Sequence, residues 1–128
     1  MNTQEMVLKK LMYISKTCLE LNKTVEDYKV EWDATRYMVF GKMYAMVGSN
    51  NVGRPIITLK HPISDVDIIQ SIYEDIIPGY YMNKNHWISI YLDKNNISDE
   101  FLKELIIKAY TLIVQGLPKK LKDILTNK

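Results

Sequence analysis

The sequence predicts an α+β fold in which helices cover a single antiparallel β-sheet, in the order α-β-β-β-α-β-β-α with a short final helix. Two observations predict it: an amphipathic first helix, and strand-like runs joined by hairpin-length connections. Short connections favour antiparallel neighbours, because parallel strands need a crossover of a dozen or more residues. The 128 residues are expected to form one domain, residues 1–128.

The first predicted helix starts near Thr3, whose hydroxyl can cap its N-terminus. Apolar residues then recur at helical spacing, at Val7, Leu11, Ile14, Cys18 and Leu21. Such a helix needs a partner surface, which the predicted sheet provides.

The strand-like runs are rich in aromatic and β-branched residues. Val30 and Trp32 are predicted to begin the first strand, before an interruption at Asp33. A tight hairpin is predicted at Gly41-Lys42. After the interruption this first strand continues over residues 35–40, and the other two predicted strands before the second helix are residues 43–47 and 54–60.

Capping signals define the later helices. Ser64 is predicted to cap the second helix, with Ile63 packing onto Ile68 as a hydrophobic staple. Ser98 is predicted to cap the long third helix, which Gly116 ends. A short helix is predicted after Pro118, because proline is well tolerated in a first turn.

Charge and cysteine content limit the function classes. The formal net charge is only +2, but residues 101–128 carry six lysines against two acids, which makes a basic end of net charge +4. The single cysteine, Cys18, cannot form an internal disulfide and is expected to be a buried apolar residue. No run approaches the roughly 20 apolar residues of a membrane helix. The protein is therefore expected to be soluble and cytoplasmic.

The stretch from Pro78 to Leu92 concentrates polar and aromatic groups. Pro78-Gly79 predicts a turn, for which Gly79 would supply a special backbone angle. From His86 onward, apolar residues alternate as in a half-buried strand. This alternation places Trp87 opposite the aliphatic side, which predicts a partly exposed ring near Lys84 or near Lys119-Lys120.

The chemistry of these residues favours binding over catalysis. His61 and His86 have no metal-ligand spacing, and glycine-rich phosphate loops and nucleophile elbows are missing. We therefore expect no enzymatic activity, no metal and no cofactor. Lys84, His86 and Trp87 could instead contact phosphates and bases, or Trp87 could simply belong to the core.

The segment Pro-Gly-Tyr-Tyr-Met-Asn-Lys-Asn-His-Trp at residues 78–87 resembles the signature of the MmcQ/YjbR family of small bacterial proteins. Residues 41–45 and 116–120 agree with that family as well, so the resemblance covers essentially the whole chain. Tyr81 departs from the histidine of many members, Tyr44 from a common phenylalanine, and residues 31–33 from the usual lead-in.

The resemblance implies a fold like that of type III secretion chaperones, described as a double wing, and the label of a DNA-binding protein. On this basis we expect weak, sequence-tolerant binding of DNA phosphates by a monomer or weak homodimer. The predicted contact surface comprises Lys84, His86, Trp87, Lys119 and Lys120, with Lys42 and Arg36 as its extension. The alternative is a protein-interaction or small-ligand module with a pocket formed by Tyr81, Asn83, His86 and Trp87. Neither hypothesis involves binding to a membrane.

Overall fold

A computed structural model describes residues 2–126 of the chain. Within that range the helices are α1 (Thr3–Leu19), α2 (Ile63–Ile72), α3 (Asp99–Gln115) and α4 (Lys119–Thr126). The strands are β1 (Thr24–Lys29), β2 (Ala34–Val39), β3 (Lys42–Ser49), β4 (Pro55–Lys60), β5 (Ile76–Pro78) and β6 (Trp87–Tyr91). No helix among these residues has the length and apolar character needed to cross a membrane.

The strands form one six-stranded sheet in the order β1-β2-β3-β4-β6-β5. Every neighbouring pair is antiparallel, which confirms the predicted α+β class. Four strands precede α2 where the sequence predicted three. The additional strand is β1, at an edge of the sheet.

All four helices contribute apolar side chains to one face of the sheet. Ile14 and Cys18 of α1, Val66 of α2 and Leu105 and Ile106 of α3 belong to the buried core, and Leu125 of α4 packs against it. Strand residues such as Tyr37, Ile57, Leu59, Ile88 and Ile90 complete this core from the sheet side. Since side chains alternate along a strand, the residues between them face away from the helices.

The helix ends partly follow the predicted signals. Ser98 caps α3 by accepting a hydrogen bond from the Phe101 amide, and Gly116 follows its last turn, as predicted. At α1, the capping side chain is Asn2 instead of Thr3, because its Oδ1 accepts from the Glu5 amide.

The predicted start of α2 is wrong in detail. Pro62 occupies the N-cap position and has no side-chain hydrogen bond to the helix. Ser64 already lies within the helix, so it is not the cap. Ile63 and Ile68 are 61% and 54% exposed, so they do not form the buried staple. The His61 imidazole instead meets Asp65 in the first turn of α2, with its Nε2 2.7 Å from Oδ2.

The prediction that Val30 and Trp32 begin a strand is also wrong. They form a 3₁₀ turn between β1 and β2, closed by the Asp33 amide donating to the Val30 carbonyl over 3.1 Å. Asp33 itself adopts the left-handed conformation, with φ of 48°. Aspartate tolerates this region, which allows the chain to reverse direction here. The turn places Trp32 above the sheet instead of within it.

Candidate functional site

The sheet face opposite the helices carries a groove of about 400 Å³. We call it the aromatic groove and define it by its lining residues. Its floor is formed by Ala34, Met46, Gly48, Ile56 and Thr58 of the three central strands β2, β3 and β4. Its sides are formed by Glu31, Trp32, Ser49, Tyr81 and Met82.

The two aromatic side chains of the groove are exposed, Trp32 to 51% and Tyr81 to 73%. Its floor is closed, because Thr58 is fully buried and bonds the Ser89 hydroxyl over 2.7 Å. Polar groups that a ligand could reach therefore lie at the sides, on Glu31 and Ser49, both of which are exposed. Apolar floors with a few polar groups are typical of ligand sites.

Cationic side chains surround the ring of Trp32. Lys29 Nζ lies 5.2 Å and Arg36 Cζ 5.7 Å from the ring centroid. Arg36 is fixed by a hydrogen-bonded ion pair with Asp27 on the neighbouring strand β1. The contact with these cations orients the indole at the side of the groove.

The loop between β5 and β6 positions Tyr81. Gly79 continues the pairing of β5 with β6, since its amide donates to the Trp87 carbonyl over 3.0 Å. The Tyr80 amide donates to Ser89 Oγ over 2.9 Å, and the Tyr80 hydroxyl accepts from the Asn51 amide over 2.9 Å. With the loop held on both sides, Tyr81 adopts a left-handed conformation, with φ of 65°. The special backbone angle predicted for Gly79 thus falls on Tyr81.

An ion pair lies where β4 begins and β6 ends. The Arg54 guanidinium binds both carboxylate oxygens of Asp93, at 3.0 Å and 2.8 Å, and lies 3.4 Å from the ring centroid of Tyr91. The hydrogen bonds from Arg54 hold the pKa of Asp93 below its ordinary value.

Trp87 does not have the predicted partial exposure. Its side chain is only 7% exposed, although it does face away from the core residues Ile88 and Ile90. Lys60 Nζ lies 5.5 Å from its ring centroid, on the strand position paired with Trp87. A buried ring offers no free face to a base. Trp87 therefore packs against Lys60 and does not stack on a base.

The other members of the predicted ligand pocket are distributed around the groove. Tyr81 lines it, whereas Asn83 and His86 do not. Asn83 is exposed, and its Oδ1 accepts from the Asn85 amide. His86 is half-buried, and its carbonyl accepts from the His61 amide over 2.8 Å. Both residues therefore shape the loop that carries Tyr81.

Two of the predicted lysines, Lys42 and Lys84, lie at one end of the sheet together with Lys60, which was not among the predicted contacts. Lys42 begins β3, Lys60 ends β4, and Lys84 lies three residues before β6, with its Nζ 3.5 Å from the Gly79 carbonyl. Because neighbouring strands run in opposite directions, these positions share one end. We call Lys42, Lys60 and Lys84 the lysine end.

The C-terminal end of helix α4 is anchored beside the start of β1. The Asn22 side chain, just before β1, donates to the Leu125 carbonyl over 2.9 Å. Lys119 and Lys120 at the start of α4 are exposed, and Lys119 pairs with Asp123 over 2.9 Å. Lys128, which also contributes to the predicted basic end, lies outside the described residues.

Sequence reasoning missed Trp32, Glu31 and the groove floor as site residues. One signal was present, since Asp33-Ala34 interrupts the predicted strand directly after Trp32. Among residues 2–126, no group of three or more metal-ligating side chains is found.

The architecture defines the class of protein: an α+β domain with helices on one face of an antiparallel sheet. The chain belongs to the YjbR family, whose model matches residues 19–112. It is 40% identical over 84 residues to YbdF of Escherichia coli O157:H7, an uncharacterized protein, covering 66% of this chain and 67% of that protein. It is 28% identical over 95 residues to the uncharacterized YjbR of Escherichia coli K12, covering 74% and 79%.

Solved structures share this fold. A Deinococcus radiodurans protein with a DUF419 domain superimposes with a TM-score of 0.77 at 25% identity, covering 90% of this chain and 86% of that one. A Pseudomonas syringae protein superimposes with a TM-score of 0.67 at 22% identity, covering 88% and 98%.

Proposed function

We propose that the protein is a non-enzymatic nucleic-acid-binding protein that holds phosphates weakly and with little dependence on base sequence. The observation that carries the proposal is the lysine end, where Lys42, Lys60 and Lys84, from three parts of the chain, lie at the same end of the sheet. Lys119 and Lys120 add two exposed cations at the start of α4. Lysine ammonium groups attract phosphates and release bound counterions, which favours association at low salt.

The exposure of these lysines and their existing ion pairs predict weak binding. Lys42, Lys84, Lys119 and Lys120 are exposed, so they can meet a phosphate with little desolvation. The Lys119–Asp123 pair lies at the surface, where such pairs contribute about 0–1 kcal/mol, so phosphate can compete for the lysine. Arg36 is already bound to Asp27 and orients Trp32, so we assign it a positioning role.

Burial of the reactive groups supports a function without catalysis. His61 is 1% exposed and its imidazole bonds Asp65 at the start of α2. Cys18 is fully buried, and burial raises the pKa of its thiol to about 12, so the thiolate nucleophile is disfavoured.

A second candidate function is a small-ligand module, favoured by the aromatic groove with its two exposed rings. In that case the groove binds a free planar molecule, and the lysines have no role in affinity. Binding would then depend little on salt.

The two functions are separated by titrating labelled random-sequence DNA, duplex and single-stranded, at two salt concentrations. We expect affinity to fall steeply with salt, each phosphate contact adding ~0.9 to the log–log slope for duplex. Replacing Lys84, Lys119 and Lys120 by Ala should flatten that slope. Replacing the exposed Lys9, Lys16 and Lys103 of α1 and α3 removes the same charge elsewhere and serves as control. No binding at low salt, or equal effects of the two triple variants, would contradict the proposal.

A further inference from the structure

The aromatic groove runs into the lysine end along a single face of the sheet. On β4, the floor residues Ile56 and Thr58 are followed at the same spacing by Lys60, so all three face away from the helices. In the β5–β6 loop, Met82 at the side of the groove is followed two residues later by Lys84. An apolar cavity with aromatic sides thus lies beside the strand and the loop that carry Lys60 and Lys84.

The groove itself carries an acidic side chain, in contrast to the lysines beside it. Among the described residues that line it, the one charged at neutral pH is Glu31, whose carboxylate accepts hydrogen bonds only. Its Oε2 lies 3.8 Å from Lys29 Nζ, but the Glu31 side chain is 74% exposed, so a base amine can still reach this carboxylate. Ser49 adds a hydroxyl on β3. A group that fits here is planar, donates a hydrogen bond towards Glu31 and carries its negative charge away from it, towards Lys60 and Lys84.

A nucleotide with an exocyclic amine combines these properties. Cytosine and adenine carry amino donors on their base edges, whereas thymine and uracil present oxygen acceptors at the corresponding positions. Exposed aromatic side chains bind bases by stacking, and nearby lysines hold the backbone. In a duplex, the same base is paired and stacked on its neighbours, so it would have to be extruded first.

We propose that the aromatic groove binds one unpaired, amine-bearing base of a single-stranded nucleic acid, stacked on Trp32 or Tyr81 with its phosphates directed at Lys60 and Lys84. The inference rests on the proposed nucleic-acid binding and assigns it a strand type and a base preference.

The test is a titration of labelled single-stranded oligocytidine, oligoadenosine and oligothymidine, and of a mixed-sequence duplex of equal length. We expect cytidine and adenosine strands to bind more tightly than thymidine strands or duplex. Quenching of tryptophan fluorescence should accompany binding and be lost in Trp32→Ala, while the buried Trp87 is retained. Loss of one stacking contact corresponds to roughly 5- to 150-fold in affinity.

Three variants sharpen the result. Tyr81→Asn removes the second ring, and asparagine suits the positive φ at this position. Glu31→Ala should abolish the preference for amine-bearing strands, because it removes the hydrogen-bond acceptor, without weakening thymidine binding, because it also removes a charge that repels phosphate. Met12→Ala, at a 72% exposed position on the helical side, should change nothing.

Each failure has a distinct meaning. Salt-dependent binding that is equal for duplex and single strands, or unchanged by both Trp32→Ala and Tyr81→Asn, overturns the groove assignment and leaves the proposed function standing. Cytidine monophosphate binding as tightly as the oligomer would overturn it in favour of a small-ligand site. Absence of binding to every strand at low salt would overturn the proposed function itself.

Discussion

Gly79 lies directly against Trp87: a Cβ atom added to residue 79 would be 2.5 Å from the Cβ of Trp87 and 2.8 Å from its carbonyl oxygen. The contact joins the end of β5 to the start of β6, where the Gly79 amide also donates to the Trp87 carbonyl. Glycine is therefore required here for close approach of two backbones and not for a special φ.

Gly79→Ala is expected to destabilise the protein by ~1–3 kcal/mol, because backbone atoms and not a flexible side chain must move. Urea denaturation measures the change in the free energy of unfolding. Gly116→Ala is the matched control, since its nearest neighbour would be an ordinary 3.6 Å away and its φ is −85°. Equal stability of the two variants would show that the close approach is not a constraint.

The N-terminal cap of α1 differs between the sequence prediction, Thr3, and the structure, Asn2. Asn2→Ala should cost about 0.5–2 kcal/mol, because it removes the acceptor for the Glu5 amide. Thr3→Ala should be neutral or slightly stabilising, since Thr3 is the first residue of the helix and alanine favours helices. Thermal unfolding of both variants measures the difference; a larger loss in Thr3→Ala would contradict the assigned cap.

The Arg54–Asp93 pair predicts how stability depends on pH. Because the folded pKa of Asp93 lies below the ordinary value of 3.8, its contribution is complete above pH 3.8 and is lost as pH falls through the folded pKa. Asp93→Asn should remove this part of the acid dependence of the unfolding free energy and lower stability at neutral pH. Asp67→Asn, which removes an exposed carboxylate from α2, is the control. An unchanged acid profile in Asp93→Asn would refute the role of the pair.

Cys18 should be protected from thiol reagents in the native protein. Its side chain is fully buried and its pKa is raised to about 12, so neither access nor the thiolate is available near neutral pH. Ellman's reagent is expected to detect one thiol only after denaturation. Rapid reaction of the folded protein would show that α1 separates readily from the sheet.

The strand pattern predicted the core better than it predicted the exposed surface. Alternation along β6 correctly assigned Ile88 and Ile90 to the helical side, because the twofold repeat determines which side chains share a face. It did not predict that Trp87 on the other face is buried. Whether that face is covered depends on the loop before β6 and on Lys60, which come from other parts of the chain.

The candidate site was less predictable because it, too, depends on contacts between distant parts of the chain. Tyr81 and Lys84 belong to the segment whose polar and aromatic groups predict a site, but the β-propensity of Trp32 predicts a strand residue. The left-handed Asp33 overrides that propensity by closing a 3₁₀ turn. The groove itself spans three strands and two connections, so no spacing within one segment encodes it.

The most direct test of nucleic-acid binding is nuclear magnetic resonance of the ¹⁵N-labelled protein during titration with single-stranded oligocytidine at low salt. The account predicts shifts of the Trp32 indole N–H and of amides around Lys60 and Lys84, reversed by added salt, with the core amides of α3 unaffected. Absence of shifts at oligonucleotide saturation, or shifts confined to α1 and α3, would contradict it.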